Sequence, residues 1–331
     1  MERNYLLDNA KIILMFLVVF GHELELTSNS LLLQTLYLFI YSFHIPMFVL
    51  ISGMLSKAEL SSKDIQKNIV SLLIPLLVLT VFYEAVEYIR YGEFSHYTKN
   101  LQPYWLLWFL LSLFFWKLLL PIIQCFKYPV LLSILIGILA GYVEQTGYYL
   151  SLSRTFTFLP FFILGYQLKP AFFLRLQTYH KALFIIVLIL AITVFSYFHD
   201  IPSRWFYGSL SYTALNMNEW TAGFIRLGIY GVSFIIGCSV IALLPNRTLK
   251  ITVYGERSLY IYIWHGFFIK LIGALGFITW LNNKNDIATL FALLLLAALI
   301  TFMLASEKLA SMTNKLLFTP IKNHLLRAVN S

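Results

Sequence analysis

The sequence predicts an all-α fold, a polytopic membrane bundle of about ten transmembrane helices with both termini cytoplasmic. Three observations predict it. Of the 331 residues, 60% are hydrophobic and only 12% are charged, too few to cover the surface of a soluble domain of this length. Mean hydropathy is +0.78. The apolar residues come in runs of roughly twenty, the length a helix needs to cross a bilayer.

The runs lie at 6–25, 31–55, 69–90, 104–125, 129–145, 155–173, 181–198, 222–244, 258–280 and 286–305, the fifth being short. Many of the 29 Phe and 21 Tyr sit near run ends, where aromatic anchors belong. Fifteen lysines and arginines fall in alternate loops and the tail, against seven on the other side. Positive charge stays inside, so both ends of the chain are expected in the cytoplasm, as an even number of spans requires. The boundaries that follow are one membrane-embedded domain over 1–310 and a basic tail over 311–331 that lies at the membrane surface. No internal repeat supports an inverted-repeat transporter. The net charge of +9 resides in short loops, which argues for topology and against nucleic-acid binding. Cys125 and Cys238 are scattered and give neither a disulfide framework nor a metal site. The first run has no signal-peptide cleavage site.

Ionisable residues inside spans are costly and normally face a cavity or the bundle interior. The first span carries Asp8, Lys11 and His22. Lys11 and His22 are eleven residues apart, which returns them to one helix face with a rise of about 16 Å. Asp8 joins that face one turn before Lys11. The face therefore offers a charged pair at the cytoplasmic end and an imidazole at the outer end; a snorkelling lysine and a headgroup-level histidine account for the same residues equally well. The second span holds His44, Pro46, Ser52 and Gly53 in YSFHIPMFVLISGM. His44 needs a partner at mid-membrane, Pro46 frees a carbonyl, and Ser52-Gly53 permits close helix approach. Arg154 opens the sixth span, as an interface anchor or as a group that polarises a carbonyl. His265 lies inside the ninth. Glu84, Glu87 and Arg90 end the third span at a spacing that a local salt-bridged edge explains. The loop 199–221, HDIPSRWFYGSLSYTALNMNEW, is polar and aromatic, suited to a sugar ring or to an interfacial belt. Neither HExxH, CxxC, GxGxxG, a Walker loop nor a GxSxG elbow is present, so no metal is expected and the histidines are the available acid–base groups.

LDNAKIILMFLVVFGH, YSFHIPMFVLISG, YWLLWFLLSLFFW around Trp105 and Trp108, SLSRTFTFLPFFILGY and SLYIYIWHGFF, in this order over residues 3–305, resemble the acyltransferase-3 family of membrane O-acyltransferases, in its fucose 4-O-acetylase-like branch. The resemblance implies an acyltransferase of the bacterial inner membrane. Its donor would be acyl-CoA, most simply acetyl-CoA, on the cytoplasmic side, and its acceptor a sugar hydroxyl of a surface polysaccharide or its lipid-linked precursor. The family's motif, a basic residue and a histidine with ten residues between, lands on Lys11 and His22. It makes His22 the expected catalytic base, since an imidazole suits proton transfer at neutral pH. Arg154 is the oxyanion donor expected beside it, with Ser52 as a second candidate. Lys11, paired with Asp8, would meet donor phosphate or the pantetheine entrance, while His44, His265 and Trp105 would line the substrate cavity. Lysine stands where many members have arginine, and Ile69 and Leu72 stand before Pro75 where many have two arginines, with Lys67 the nearest basic residue. The competing reading is a polysaccharide exporter of the same operon type.

Overall fold

The computed structural model describes residues 4–27, 30–217 and 219–319. Among the described residues seventeen α-helices follow one another: α1 (Tyr5–Leu24), α2 (Leu31–Met54), α3 (Ser62–Asn68), α4 (Ile74–Tyr91), α5 (His96–Lys99), α6 (Trp108–Gln124), α7 (Pro129–Ala140), α8 (Leu152–Leu168), α9 (Ala171–Leu176), α10 (Lys181–Tyr197), α11 (Arg204–Tyr207), α12 (Ala222–Leu243), α13 (Thr252–Gly255), α14 (Ser258–Ala274), α15 (Phe277–Leu281), α16 (Asp286–Leu304) and α17 (Glu307–Thr313). No strand occurs among the described residues. Each of the ten predicted runs contains one main helix. Six are long and apolar enough to cross a membrane: α1, α2, the continuous segment Ser62–Tyr91, the segment Trp105–Gln124, α12 and α16. The other four are shorter, 12 residues in α7 and 17 in each of α8, α10 and α14. On α16, Phe291, Leu295 and Leu299 are largely exposed along one face, a surface only lipid covers at low cost. The chain is a multi-pass membrane protein. Of the predicted basic tail, residues up to 319 continue as α17 and a π-helical segment Asn314–Phe318; Lys322 and Arg327 lie outside the described residues.

The helices pack as two compact units. The first comprises Met1–Phe48, Leu168–Phe206 and Gly228–Ala310. Its centre is α1, which packs against α13, α14 and α16 and buries residues on every side, from Leu6, Leu7 and Ala10 to Val19 and Phe20. A helix apolar all round is a core helix. Asn4 caps it, its side chain accepting from Leu7 N–H at 3.0 Å. One turn on, Asn9 is 1% exposed and ties the chain that leads into α13. Its Nδ2 donates to the carbonyls of Pro245 (2.8 Å) and Arg247 (3.0 Å), and its Oδ1 accepts from Thr252 Oγ1 at 2.6 Å.

The second unit comprises Val49–Gln167, Tyr207–Leu227 and Ser311–Ser331. Within it the end of α2 crosses α8 backbone to backbone. A Cβ at Gly53 would stand 2.0 Å from the Phe162 carbonyl oxygen, and one at Gly165 would stand 2.0 Å from that of Leu50. Small residues allow such approach where no hydrophobic force drives helices together. Trp116 of α6 locks onto α8, donating to Thr155 O at 2.7 Å and stacking on Phe162. Gly53→Ala or Gly165→Ala is expected to destabilise the protein by about 1–3 kcal/mol or more through overpacking against backbone, seen as a lower melting temperature in detergent. Gly228→Ala, whose Cβ would meet nothing within 4 Å, should melt like wild type.

Two sequence expectations change here. Glu84 and Glu87 do not end α4 as a local ion-paired edge. Glu84 accepts from the backbone N–H and hydroxyl of Ser95, and Glu87 accepts from Tyr104, so both carboxylates fasten the loop that follows the helix. Burial, and then the Glu87 charge, push the Tyr104 hydroxyl up from its ordinary pKa. The aromatic loop 199–221 is largely spent in packing. Trp205, Phe206 and Tyr212 are buried, and Tyr212 donates to Ile138 O at 3.0 Å while covering Gly141, where a Cβ would lie 2.2 Å from its ring.

Candidate active site

In the first unit α1, α2 and α14 bring together three of the predicted residues, His22, His44 and His265. The His22 and His265 rings are 5.7 Å apart, and Tyr41 lies between His22 and His44 with ring separations of 6.2 and 4.9 Å. His22 Nδ1 is 3.1 Å from Glu25 Oε2 and 3.2 Å from the Tyr41 hydroxyl, which itself donates to Glu25 Oε2 at 3.3 Å. An ionised carboxylate only accepts, so Nδ1 carries the proton and Nε2 keeps the lone pair. This is the arrangement of a base whose tautomer is fixed by a neighbouring acid.

The two deeper histidines are fixed differently. His44 Nδ1 donates to Ile40 O at 2.7 Å, one turn back on α2. His265 Nδ1 donates to Ile261 O at 3.0 Å and Tyr262 O at 2.8 Å. A carbonyl cannot donate, so both rings carry hydrogen on Nδ1 and present Nε2 as an acceptor. His265 is 0% exposed, and its Nε2 has no hydrogen-bond partner among the described residues. Next to His22 on α1, Glu23 is 1% exposed and neither of its carboxyl oxygens has a partner there. Buried polar groups are nearly always satisfied, so an orphaned imidazole nitrogen on a ring 5.7 Å from His22 marks a place built for more than packing.

At the other end of α1, Lys11 Nζ is 2.8 Å from Asp8 Oδ1. Asp8 is buried, and the α13 backbone presses on it: a Cβ at Gly255 would lie 2.2 Å from the Asp8 carbonyl oxygen. Lys11 and His22 thus share α1 at a rise of about 16 Å.

The second unit holds Arg154, Trp105 and Ser52. Arg154, at the start of α8, lays its guanidinium over the rings of Trp108 (4.9 Å) and Tyr148 (5.2 Å), and its Nε donates to Tyr207 O at 3.4 Å. The surrounding backbone is strained. Leu101, Trp105, Leu150 and Ser151 have φ of +53°, +29°, +44° and +56°, and Leu150 N–H bonds to Leu101 O at 3.0 Å. L-residues hold such angles at a cost, and they gather at functional sites. The Ser151 hydroxyl, buried here, has no partner among the described residues. Ser52 stands beside the Gly53–Phe162 crossing, eight residues along α8 from Arg154, a rise of about 12 Å.

A family model described as an acyltransferase domain matches residues 4–306. The chain belongs to the acyltransferase-3 family. Nodulation protein NolL of Sinorhizobium fredii (strain NBRC 101917 / NGR234) is similar to this acyltransferase-3 chain, 31% identical over 129 residues, 34% of this chain and 35% of the relative. The chain thus spans about a third of that curated relative's length. No solved structure matches.

The family's basic–histidine spacing is the pattern seen in α1, yet the surroundings of that histidine in this acyltransferase-3 member were not singled out from the sequence. Tyr41 precedes His44 by one helical turn, and Glu23 and Glu25 follow His22 in GHELEL. A carboxylate within three residues of a span-end histidine was a usable signal. Arg226, 3% exposed on α12 beside Tyr212, and Lys117, inside α6, carried the same signal of an ionisable group in an apolar run.

Proposed function

We propose that this acyltransferase moves an acyl group, most simply acetyl, from acyl-CoA at the cytoplasmic face to a sugar hydroxyl of an exported polysaccharide or its lipid-linked precursor, in the bacterial inner membrane with both termini cytoplasmic. The observation that carries this reading is His22, a ring whose Nδ1 is held by Glu25 and whose Nε2 is left basic. His22 Nε2 takes the proton of the sugar hydroxyl as its oxygen attacks the thioester carbonyl. The tetrahedral oxyanion is stabilised by Arg154. As the carbon–sulfur bond breaks, the imidazolium returns its proton to the departing thiolate, leaving a sugar ester and free coenzyme A. His265 Nε2 accepts from a neighbouring hydroxyl of the sugar, which gives that orphaned nitrogen a use. Lys11, held by Asp8, is assigned to the donor's phosphates, and Trp105 to the sugar.

The test is mass spectrometry of the host's surface glycan from wild type, a deletion strain and His22→Ala with verified membrane expression. Loss of one acyl increment in both mutants, with glycan still reaching the surface, is the expected result. Unmodified glycan trapped inside the deletion strain, with normal export by His22→Ala, would establish an exporter and overturn the assignment of His22.

A further inference from the structure

We propose that the second unit contains a phosphate-binding site, built from Lys117 of α6 and from Lys67 and Asn68 at the end of α3. Lys117 lies in the interior of an apolar helix, and its Nζ donates to Asn68 Oδ1 at 3.1 Å. Among the described residues that neutral amide is its partner, with no carboxylate at ion-pair distance. The contrast with Lys11 is direct, since Lys11 has its counter-ion in Asp8 at 2.8 Å. A cation within a span is expensive unless something balances it. Lys67, the residue before Asn68, is exposed at the end of α3 and adds a second positive charge to that helix end. The Lys117 ammonium and the Asn68 amide N–H, with Asn68 Oδ1 already spent on Lys117, offer donors only, and the charge of Lys67 is next to Asn68 in the chain. The natural ligand of such a set is a compact, multiply charged oxyanion.

The backbone explains why Asn68 meets Lys117. Pro75 has no N–H for the helical ladder. Just before it the chain widens into a π segment, Ile69–Leu73, in which Ile74 N–H reaches back to Ile69 O. The one extra residue turns Asn68 by about 100° relative to α4, and this π segment is the part of the strand of helices that packs against α6. Such π insertions are frequent at functional sites. Asp64, the acid closest in sequence, is engaged by the hydroxyl and N–H of Ser61 in a capping box.

A phosphate here has two sources, a phosphorylated soluble donor or the headgroup of an anionic phospholipid. The first rests on the donor proposed above; the second does not. The test uses full-length protein in phosphatidylcholine nanodiscs. Coenzyme A is titrated calorimetrically, and phosphatidylglycerol binding is read by native mass spectrometry, for wild type, Lys117→Met, Lys117→Arg and Lys67→Ala. We expect wild type to bind at least one probe and Lys117→Met to weaken it about tenfold. Lys117→Arg should retain binding, and Lys67→Ala, at an exposed position that folding tolerates, should give a smaller loss in the same probe. Coenzyme A as the affected probe assigns the site to the donor. Phosphatidylglycerol as the affected probe, with no coenzyme A binding to wild type, assigns it to lipid and removes support for the donor. The proposal is overturned if wild type binds neither probe, or if Lys117→Met and Lys67→Ala bind both as wild type does; coenzyme A binding to all four proteins alike would leave the donor standing and this site rejected.

Discussion

His22→Ala is expected to lower acyl transfer about a thousandfold, the middle of the range a positioned general base contributes, with little change in the apparent affinity for donor. The reason is local. His22 lies near the end of α1 against the His265 and Tyr41 rings, and its Nε2 is the atom that the Glu25 contact leaves for proton transfer. The companion variants sharpen the result. Glu25→Gln lets an amide N–H compete for Nδ1 and loosens the tautomer; Tyr41→Phe removes the hydroxyl that bridges His22 and Glu25. Each should reduce turnover less than His22→Ala, and the double variant should fall short of the sum, since both act through the same imidazole. Single-turnover rates with saturating donor separate this from a binding defect. Full turnover by His22→Ala at wild-type expression would remove the imidazole from the chemistry.

How much of this was legible in the sequence depends on the range of the interaction. The helices were, because apolar run length is a property of consecutive residues: even the short fifth run is a short helix, α7. The common face of Asp8, Lys11 and His22 was also legible, since helical period alone sets it, and so was the close approach at Gly53. Contacts between elements were not. Glu84 and Glu87 have the spacing of a local ion-paired edge, yet the loop that returns at Ser95 and Tyr104 captures both. The loop 199–221 has the composition of an open aromatic platform, yet Tyr212 is 1% exposed because Gly141 leaves room for its ring. Glu23 and Lys117 were visible as ionisable residues in apolar runs, but only the packing distinguishes a carboxyl with no partner from a lysine that meets an asparagine 49 positions away.

Arg154→Ala is expected to cost about a hundred- to a thousandfold in turnover, the magnitude seen when one oxyanion donor is lost, and Arg154→Lys should recover little of it. The argument turns on shape as well as charge. The guanidinium is a plane held over Trp108 at 4.9 Å and Tyr148 at 5.2 Å, with Nε directed to Tyr207 O. A lysine keeps the charge but has neither the plane to stack nor the fork to aim, so its ammonium would sit elsewhere in the same aromatic frame. Trp108→Leu then serves as the positioning control. It removes one face of the sandwich while leaving the cation, and it should produce an intermediate loss in turnover that Arg154→Ala does not deepen by its full amount. None of the three substitutions falls at Trp105, Leu150 or Ser151, where the backbone is left-handed, so the melting temperature should move by far less than the rate. If Arg154→Lys retains wild-type turnover, a diffuse positive charge is all that position supplies, and the oxyanion donor must be sought in another residue of the second unit, with the buried Arg226 first among them.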